Sequence, residues 1–94
     1  MDKVKQLMIS GSSPVKETAG SIVKCYTESG EHNIELRAIG ASAVNQMYKG
    51  IASARGILAQ RGKDLYIIPG FDTVNEGEQS KTALIARLVI KWGE

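Results

Sequence analysis

Two stretches of this sequence share one local plan: a short apolar run, a cluster of glycine and serine, and then apolar residues at helical spacing. Val4 to Ile9 leads into Ser10-Gly11-Ser12-Ser13-Pro14, and Ile34 to Ile39 leads into Gly40-Ala41-Ser42-Ala43. A strand that runs into a helix needs a crossover to bring the next strand alongside, and that crossover is right-handed and usually sets the two strands parallel. After the second helical stretch the plan changes, and two extended segments follow with only a polar turn between them. The order β-α-β-α-β-β therefore predicts a two-layer α/β sandwich, a four-stranded mixed sheet with two helices on one face.

The element boundaries follow from residue type. Ser13 suits an N-cap, and Pro14 suits the first helical position, where its missing N–H costs nothing. Val15, Ile22, Val23 and Tyr26 recur at helical spacing, with Cys25 beside them, and Ser29-Gly30 offers a left-handed stop. Ile34, Leu36 and Ala38 alternate with Glu35 and Arg37, as in a half-buried strand. Val44, Met47, Tyr48, Ile51, Ala54 and Leu58 form the stripe of the second helix. Gly50 and Gly56 each weaken that helix by roughly 1 kcal/mol relative to alanine, so it is expected to loosen near Gly56, with Gly62 closing the segment. Leu65 to Phe71 reads as a strand that Pro69 confines to an edge or an irregular position, Asp72 to Ser80 as a polar turn, and Thr82 to Trp92 as a long strand. In that last strand Leu84, Ala86, Leu88 and Ile90 share one face. Ile39, Ile68, Ile85 and Val89 fall on the opposite sheet face, an apolar surface that suggests a subunit contact.

With 94 residues, positions 1–94 make one domain. Apolar residues are 43% and charged residues 23%, the balance of a folded globular chain rather than a disordered one. No apolar run approaches the roughly 18 residues of a membrane span. Met1-Asp2-Lys3-Val4-Lys5-Gln6 leads into no signal-peptide core, so a cytoplasmic location is expected. One cysteine and one histidine leave no disulfide framework and no metal cluster, and no cofactor is expected. Cys25 is expected to pack as a small core residue, with no histidine nearby to make it a nucleophile. His32 reads as a solvated strand-edge residue. No paired carboxylates or Ser–His–Asp set is legible, so the sequence points away from an enzyme. Five aromatic residues form no base-stacking platform, although Tyr66 and Phe71 lie on strands. Trp92 is placed to anchor the last strand or a partner.

The net charge of +2 conceals blocks of alternating sign. Lys49, Arg55, Arg61 and Lys63 occupy residues 49–63 with no acid, and Asp64, Asp72, Glu76 and Glu78 occupy residues 64–79 with no base. Such blocks serve a basic surface, a contact between subunits or simple neutralisation in solvent.

Several runs carry a family likeness. Ala38-Ile39-Gly40-Ala41-Ser42-Ala43-Val44-Asn45-Gln46, Ala52-Ser53-Ala54-Arg55-Gly56 and Asp64-Leu65-Tyr66-Ile67-Ile68-Pro69-Gly70-Phe71 resemble the stage V sporulation protein S family, with Ser12-Ser13-Pro14 and Ala19-Gly20 matching less closely. The likeness covers nearly the whole chain. It implies a bacterial protein tied to spore development, with a fold similar to that of the Alba chromatin proteins. Those are dimeric β-α-β-α-β-β sandwiches that bind DNA or RNA. This chain has Gly11 where the family often has a lysine, and Lys16 lies near enough to replace it. The last hairpin, a nucleic-acid-gripping arm in Alba proteins, has here the acidic turn Asp72-Thr73-Val74-Asn75-Glu76-Gly77-Glu78.

Both strand-to-helix turns should open at the same edge of the sheet, where helix N-termini present free N–H groups and the positive end of the helix dipole to a phosphate. Ser10, Gly11, Ser12 and Ser13 form one lip, with Lys16 nearby, and Gly40, Ala41, Ser42 and Ala43 the other. Serine and glycine before a helix also serve as ordinary caps. Asn45, Gln46, Lys49 and Ser53 share the outer face of the second helix with Ser42, a face poor in charge and able to hydrogen-bond phosphates or a subunit. Arg61 and Lys63, about Gly62, extend the basic surface. Arg55 is read as structural, paired to an acid or a subunit, and Tyr48 lies beside it. The leading expectation is a homodimeric or higher homo-oligomeric regulator that contacts DNA or RNA mainly through phosphates, with no membrane. The alternative is an interaction module that acts in sporulation through a protein partner without binding nucleic acid.

Overall fold

A computed structural model describes residues 4–29 and 33–93. Met1-Asp2-Lys3, the Gly30 helix stop and His32 lie outside the described residues. The elements run β1 (Lys5–Ile9), α1 (Val15–Ser29), β2 (Ile34–Ile39), α2 (Ala41–Ala59), β3 (Lys63–Glu76) and β4 (Gln79–Trp92). The sheet order is β1-β2-β4-β3, with β1 and β2 parallel and the other neighbours antiparallel. This is the two-layer sandwich that the order of periodicities predicts.

Alternation builds the core. Ile34, Leu36 and Ala38 of β2 and Ala86, Leu88 and Ile90 of β4 turn one face inward, with Ile34 opposite Leu88 and Leu36 opposite Ala86. Ala19, Ile22 and Val23 of α1 and Met47, Ile51, Ala54 and Leu58 of α2 cover that face in one continuous cluster. Cys25 packs half-buried at its margin. The helices meet tightly at Gly50, where a Cβ would lie 2.5 Å from Thr18 Cγ2. Thr18 is itself buried there. Glycine at this point serves close approach, and α2 runs on past Gly56 to Ala59 instead of loosening.

The hairpin is longer than its polar residues suggest. Asp72 to Glu76 pair with Ala83 to Gln79 as regular strand, so only Gly77 and Glu78 turn the chain. Gly77 takes φ 61°, the left-handed conformation that short hairpin turns favour. Fourteen residues per strand at about 3.3 Å each make an arm roughly 45 Å long, which outruns the helices. Leu84 and Phe71, partners across the arm, therefore stay exposed although they lie on the inward face. Tyr48 likewise projects from the stripe of α2 and is 65% exposed.

The opposite sheet face is open. Met8, Tyr66 and Ile68 are exposed on it, beside half-buried Ile39, Ile85 and Val89. At its upper end Arg37 Nη2 donates to Asp72 Oδ2 at 2.7 Å, bridging β2 to β3 over the middle strand. Fully buried Ala83, between Ile39 and Asp72 in register, is small enough to leave room for that bridge. Arg37 Nε is buried with no acceptor, a cost of about 1–3 kcal/mol that the ion pair offsets in part.

Candidate functional site

Parallel pairing of β1 and β2 fixes where their following turns must be. Ile9 lies beside Ala38 in register, so Ser10 to Pro14 and Gly40 emerge at the same end of the sheet. The turns then touch. A Cβ on Gly11 would lie 2.5 Å from Ser42 Oγ and 3.0 Å from Ser42 Cβ. Gln46 Nε2 adds a clasp by donating to the Ser13 carbonyl at 2.8 Å. The convergence expected from the sequence is present, and Gly11, Ser12, Ser13, Gly40 and Ser42 form one rim.

Neither helix is capped by a side chain in the expected way. Ser13 Oγ accepts the N–H of Ser10 at 2.9 Å, looking back into the turn and not forward into α1. Ser10 Oγ lies 3.2 Å from both Ser12 Oγ and Ser13 Oγ, a closed hydroxyl cluster. Gly40 precedes α2 at φ 91° and has no side chain to cap it. Among the described residues no side chain caps the start of α2, and Ser13 Oγ is turned away from α1, so the first backbone N–H groups of both helices stand at the positive end of the dipole without a side-chain acceptor. Glu17 in the first turn of α1 opposes that field, whereas α2 has no acid in its first turn.

Lys16, Asn45 and Lys49 are exposed on the helices that rise from the rim. Gln46 and Ser53 are not part of an outer face: both are half-buried, and Gln46 is spent on Ser13. The polar stripe of α2 reads as solvent-facing in the sequence because the position of α1 is not visible there.

Arg61 and Lys63 do not join the rim. Nineteen residues of α2 at 1.5 Å each, roughly 28 Å, separate the helix start from Arg61 and Lys63. Lys63 opens β3 instead of standing in a turn, and its Nζ lies 3.2 Å from the centre of the Trp92 ring, with Tyr26 at 5.8 Å. Trp92 anchors the last strand through this cation–π stack. Arg55 is paired to an acid within the chain: its Nε donates to Asp64 Oδ1 at 2.9 Å. That hydrogen bond, with a second from the Leu65 N–H, holds the Asp64 carboxyl below the usual carboxylate range and raises the Arg55 guanidinium. The basic block of residues 49–63 is thus spread along the domain, and Lys49, about 12 Å up α2 from its start, is the cation of the four that lies nearest the rim.

The hairpin arm leaves the sheet at the rim end, since Ala83 of β4 pairs with Ile39 of β2. Its acids are largely matched. Asp72 pairs with Arg37 at 2.7 Å and Glu76 with Lys81 at 3.4 Å. Among the described residues Glu78 at the turn has no ion-pair partner.

Among the described residues no three His, Cys, Asp or Glu side chains are grouped to hold a metal, and no helix is long and apolar enough to cross a membrane. Residues 5–91 match the family model for Stage V sporulation protein S (SpoVS). Among solved structures, Alba from Thermoplasma volcanium superposes with a TM-score of 0.59 at 13% identity, covering 90% of this chain and 99% of that one. At that identity the likeness speaks for the fold.

Proposed function

We propose that this chain, which belongs to the Stage V sporulation protein S family, is a nucleic-acid-binding regulator of spore development that acts in the cytoplasm as a homodimer. Its rim of two touching turns receives backbone phosphates of DNA or RNA. The observation that carries this reading is the contact of Gly11 with Ser42, which sets two helix N-termini side by side. Backbone phosphates meet two adjacent sets of backbone N–H groups there. Lys16 and Lys49 supply the mobile positive charge, and Ser12, Ser42 and Asn45 the neutral donors. Arg61 and Lys63 are left out of the contact surface on the geometry above. Recognition rests on phosphate geometry rather than base edges, because no helix is presented for a groove.

An exposed apolar strip supports the dimer: Tyr48 on α2 and Ile67, Phe71 and Leu84 on the inward face of the arm. A second copy covering that strip leaves both rims accessible. Binding of a labelled duplex and a labelled single-stranded RNA at about 50 mM and 200 mM salt tests the reading, since a phosphate-driven complex weakens steeply over that range. Absence of binding to both at low salt would overturn it. The compensated charges of the arm and the open apolar sheet face would then favour action through a protein partner.

A further inference from the structure

The sheet has two free edges, and they are not alike. β3 carries Pro69 midway along its edge, a residue that cannot donate to an incoming strand. β1 is short and has no proline. The N–H of Lys5 donates to the Asn33 carbonyl at 2.7 Å. Alternation along a parallel strand then turns Lys5, Leu7 and Ile9 toward β2, and the N–H and C=O groups of Gln6 and Met8 outward.

Those outward groups face a groove. Between β1 and the start of α1 lies a cavity of about 270 Å³, walled on the helix side by Ser13, Glu17, Thr18 and Ser21. An edge strand beside a helix is the arrangement in which an extended peptide adds to a sheet, its main chain bonding the edge and its side chains sorting to the two faces. We propose that β1 is such a docking edge, and that its occupant is an extended peptide segment of a partner protein with apolar and basic residues in alternation.

The two faces dictate that chemistry. On the open face, Met8 is 66% exposed and offers an apolar contact, while the neighbouring Gln6 amide is turned toward Glu35 at 3.4 Å. On the helix face, among the described residues, Glu17 is the one charged side chain lining the groove, and no ion pair engages it. A fifth strand therefore places alternate residues against Met8 and the intervening residue against Glu17. The same carboxylate disfavours a second copy as occupant. Joining two β1 edges about a two-fold axis brings both α1 helices to one side of the sheet, with Glu17 facing its own kind. The site does not rest on the phosphate rim and stands whether or not the rim binds nucleic acid.

The test uses the full chain, labelled with ¹⁵N, and a heptapeptide with valine at odd positions and threonine, lysine, threonine at even positions. A twin carries glutamate in place of the lysine. The lysine peptide is expected to slow amide hydrogen exchange at Gln6 and Met8 and to shift resonances along Ser13 to Ser21. Glu17→Lys, with its fold checked by circular dichroism, is expected to bind the lysine peptide about fivefold more weakly and to prefer the glutamate twin. The proposal is overturned if Gln6 and Met8 stay unprotected at millimolar peptide, or if wild type binds both twins equally. Protection of those two amides in the free chain that grows with protein concentration would also overturn it, since a second copy would then hold the edge.

Discussion

Gly11 rests against the Ser42 hydroxyl with no space for a Cβ, so the first turn and the second helix hold each other in place. Gly11→Ala is therefore expected to force the turns apart and to destabilise the domain by about 1–3 kcal/mol, the usual cost of overpacking. In a Ser42→Ala background the hydroxyl contact is gone and the 3.0 Å contact with Cβ is left, so the penalty should shrink. Urea unfolding of the four members of this double-mutant cycle measures the coupling. Equal penalties in both backgrounds would mean that the turns do not bear on each other.

Gly50 and Gly56 look alike in the sequence, two glycines in one helix. In the fold they part company, because a Cβ on Gly50 meets Thr18 at 2.5 Å and one on Gly56 meets nothing within 4 Å. Gly56→Ala should stabilise the protein by about 0.5–1 kcal/mol by stiffening the unfolded chain. Gly50→Ala gains the same helix propensity but wedges α1 from α2, for a net loss of about 1–2 kcal/mol. Thermal melts of the two variants should move in opposite directions.

That contrast shows what could be read from the sequence and what could not. Element order and sheet faces follow from local spacing, which side chains such as Leu36 and Ala86 carry on their own. The convergence of the turns follows from two strand–turn–helix units with parallel strands. Local spacing is silent on what one element does to another. Gln46 stands on a polar stripe in the sequence, yet it is consumed by the Ser13 carbonyl because α1 lies over it. Arg61 and Lys63 look adjacent to the basic cluster, yet the length of α2 carries them to the far end. The acidic turn from Asp72 was legible only as unlike charge, because its partner Arg37 is 35 residues away.

Acid should loosen the lower end of the domain through one group. The Asp64 carboxyl is held down chiefly by the Arg55 hydrogen bond, then by the Leu65 N–H. A lowered folded-state value means that its stabilising contribution is complete at neutral pH and fades as pH falls from the ordinary carboxylate range, near 4, through the folded value. Arg55 stays charged throughout, so it adds no slope of its own. Asp64→Asn is expected to flatten the acid limb of stability against pH, measured by chemical unfolding between about pH 6 and pH 2. An unchanged limb would assign the slope to other carboxylates.

Ala83 sits fully buried beneath the line along which Arg37 reaches Asp72. Ala83→Leu fills that space, and the expected loss is about 1–3 kcal/mol with the ion pair displaced. Freed from Arg37, Asp72 restores a negative charge at the root of the arm, close to the rim. The variant should therefore also weaken nucleic-acid binding at low salt, which Asp72→Asn in the same background should recover. Binding unaffected by Ala83→Leu would show that the arm's charge does not reach the rim.

Position along α2 decides which cations should matter for a polyanion. Lys16 stands on the first turn of α1 and Lys49 about 12 Å up α2, whereas Arg61, past the end of α2, lies roughly 28 Å or more from the helix start at the rim. At physiological salt the screening length is about 8 Å, so a charge at that distance contributes almost nothing to a phosphate on the rim. Lys16→Glu and Lys49→Glu should each weaken binding and reduce the slope of log affinity against log salt by about 1, the signature of one lost phosphate contact. Arg61→Glu carries the same change in net charge and should leave that slope where it was. Titrations of one labelled duplex across four salt concentrations separate the cases. If Arg61→Glu matches the two lysine variants, binding follows overall charge and the rim has no special claim on the phosphates.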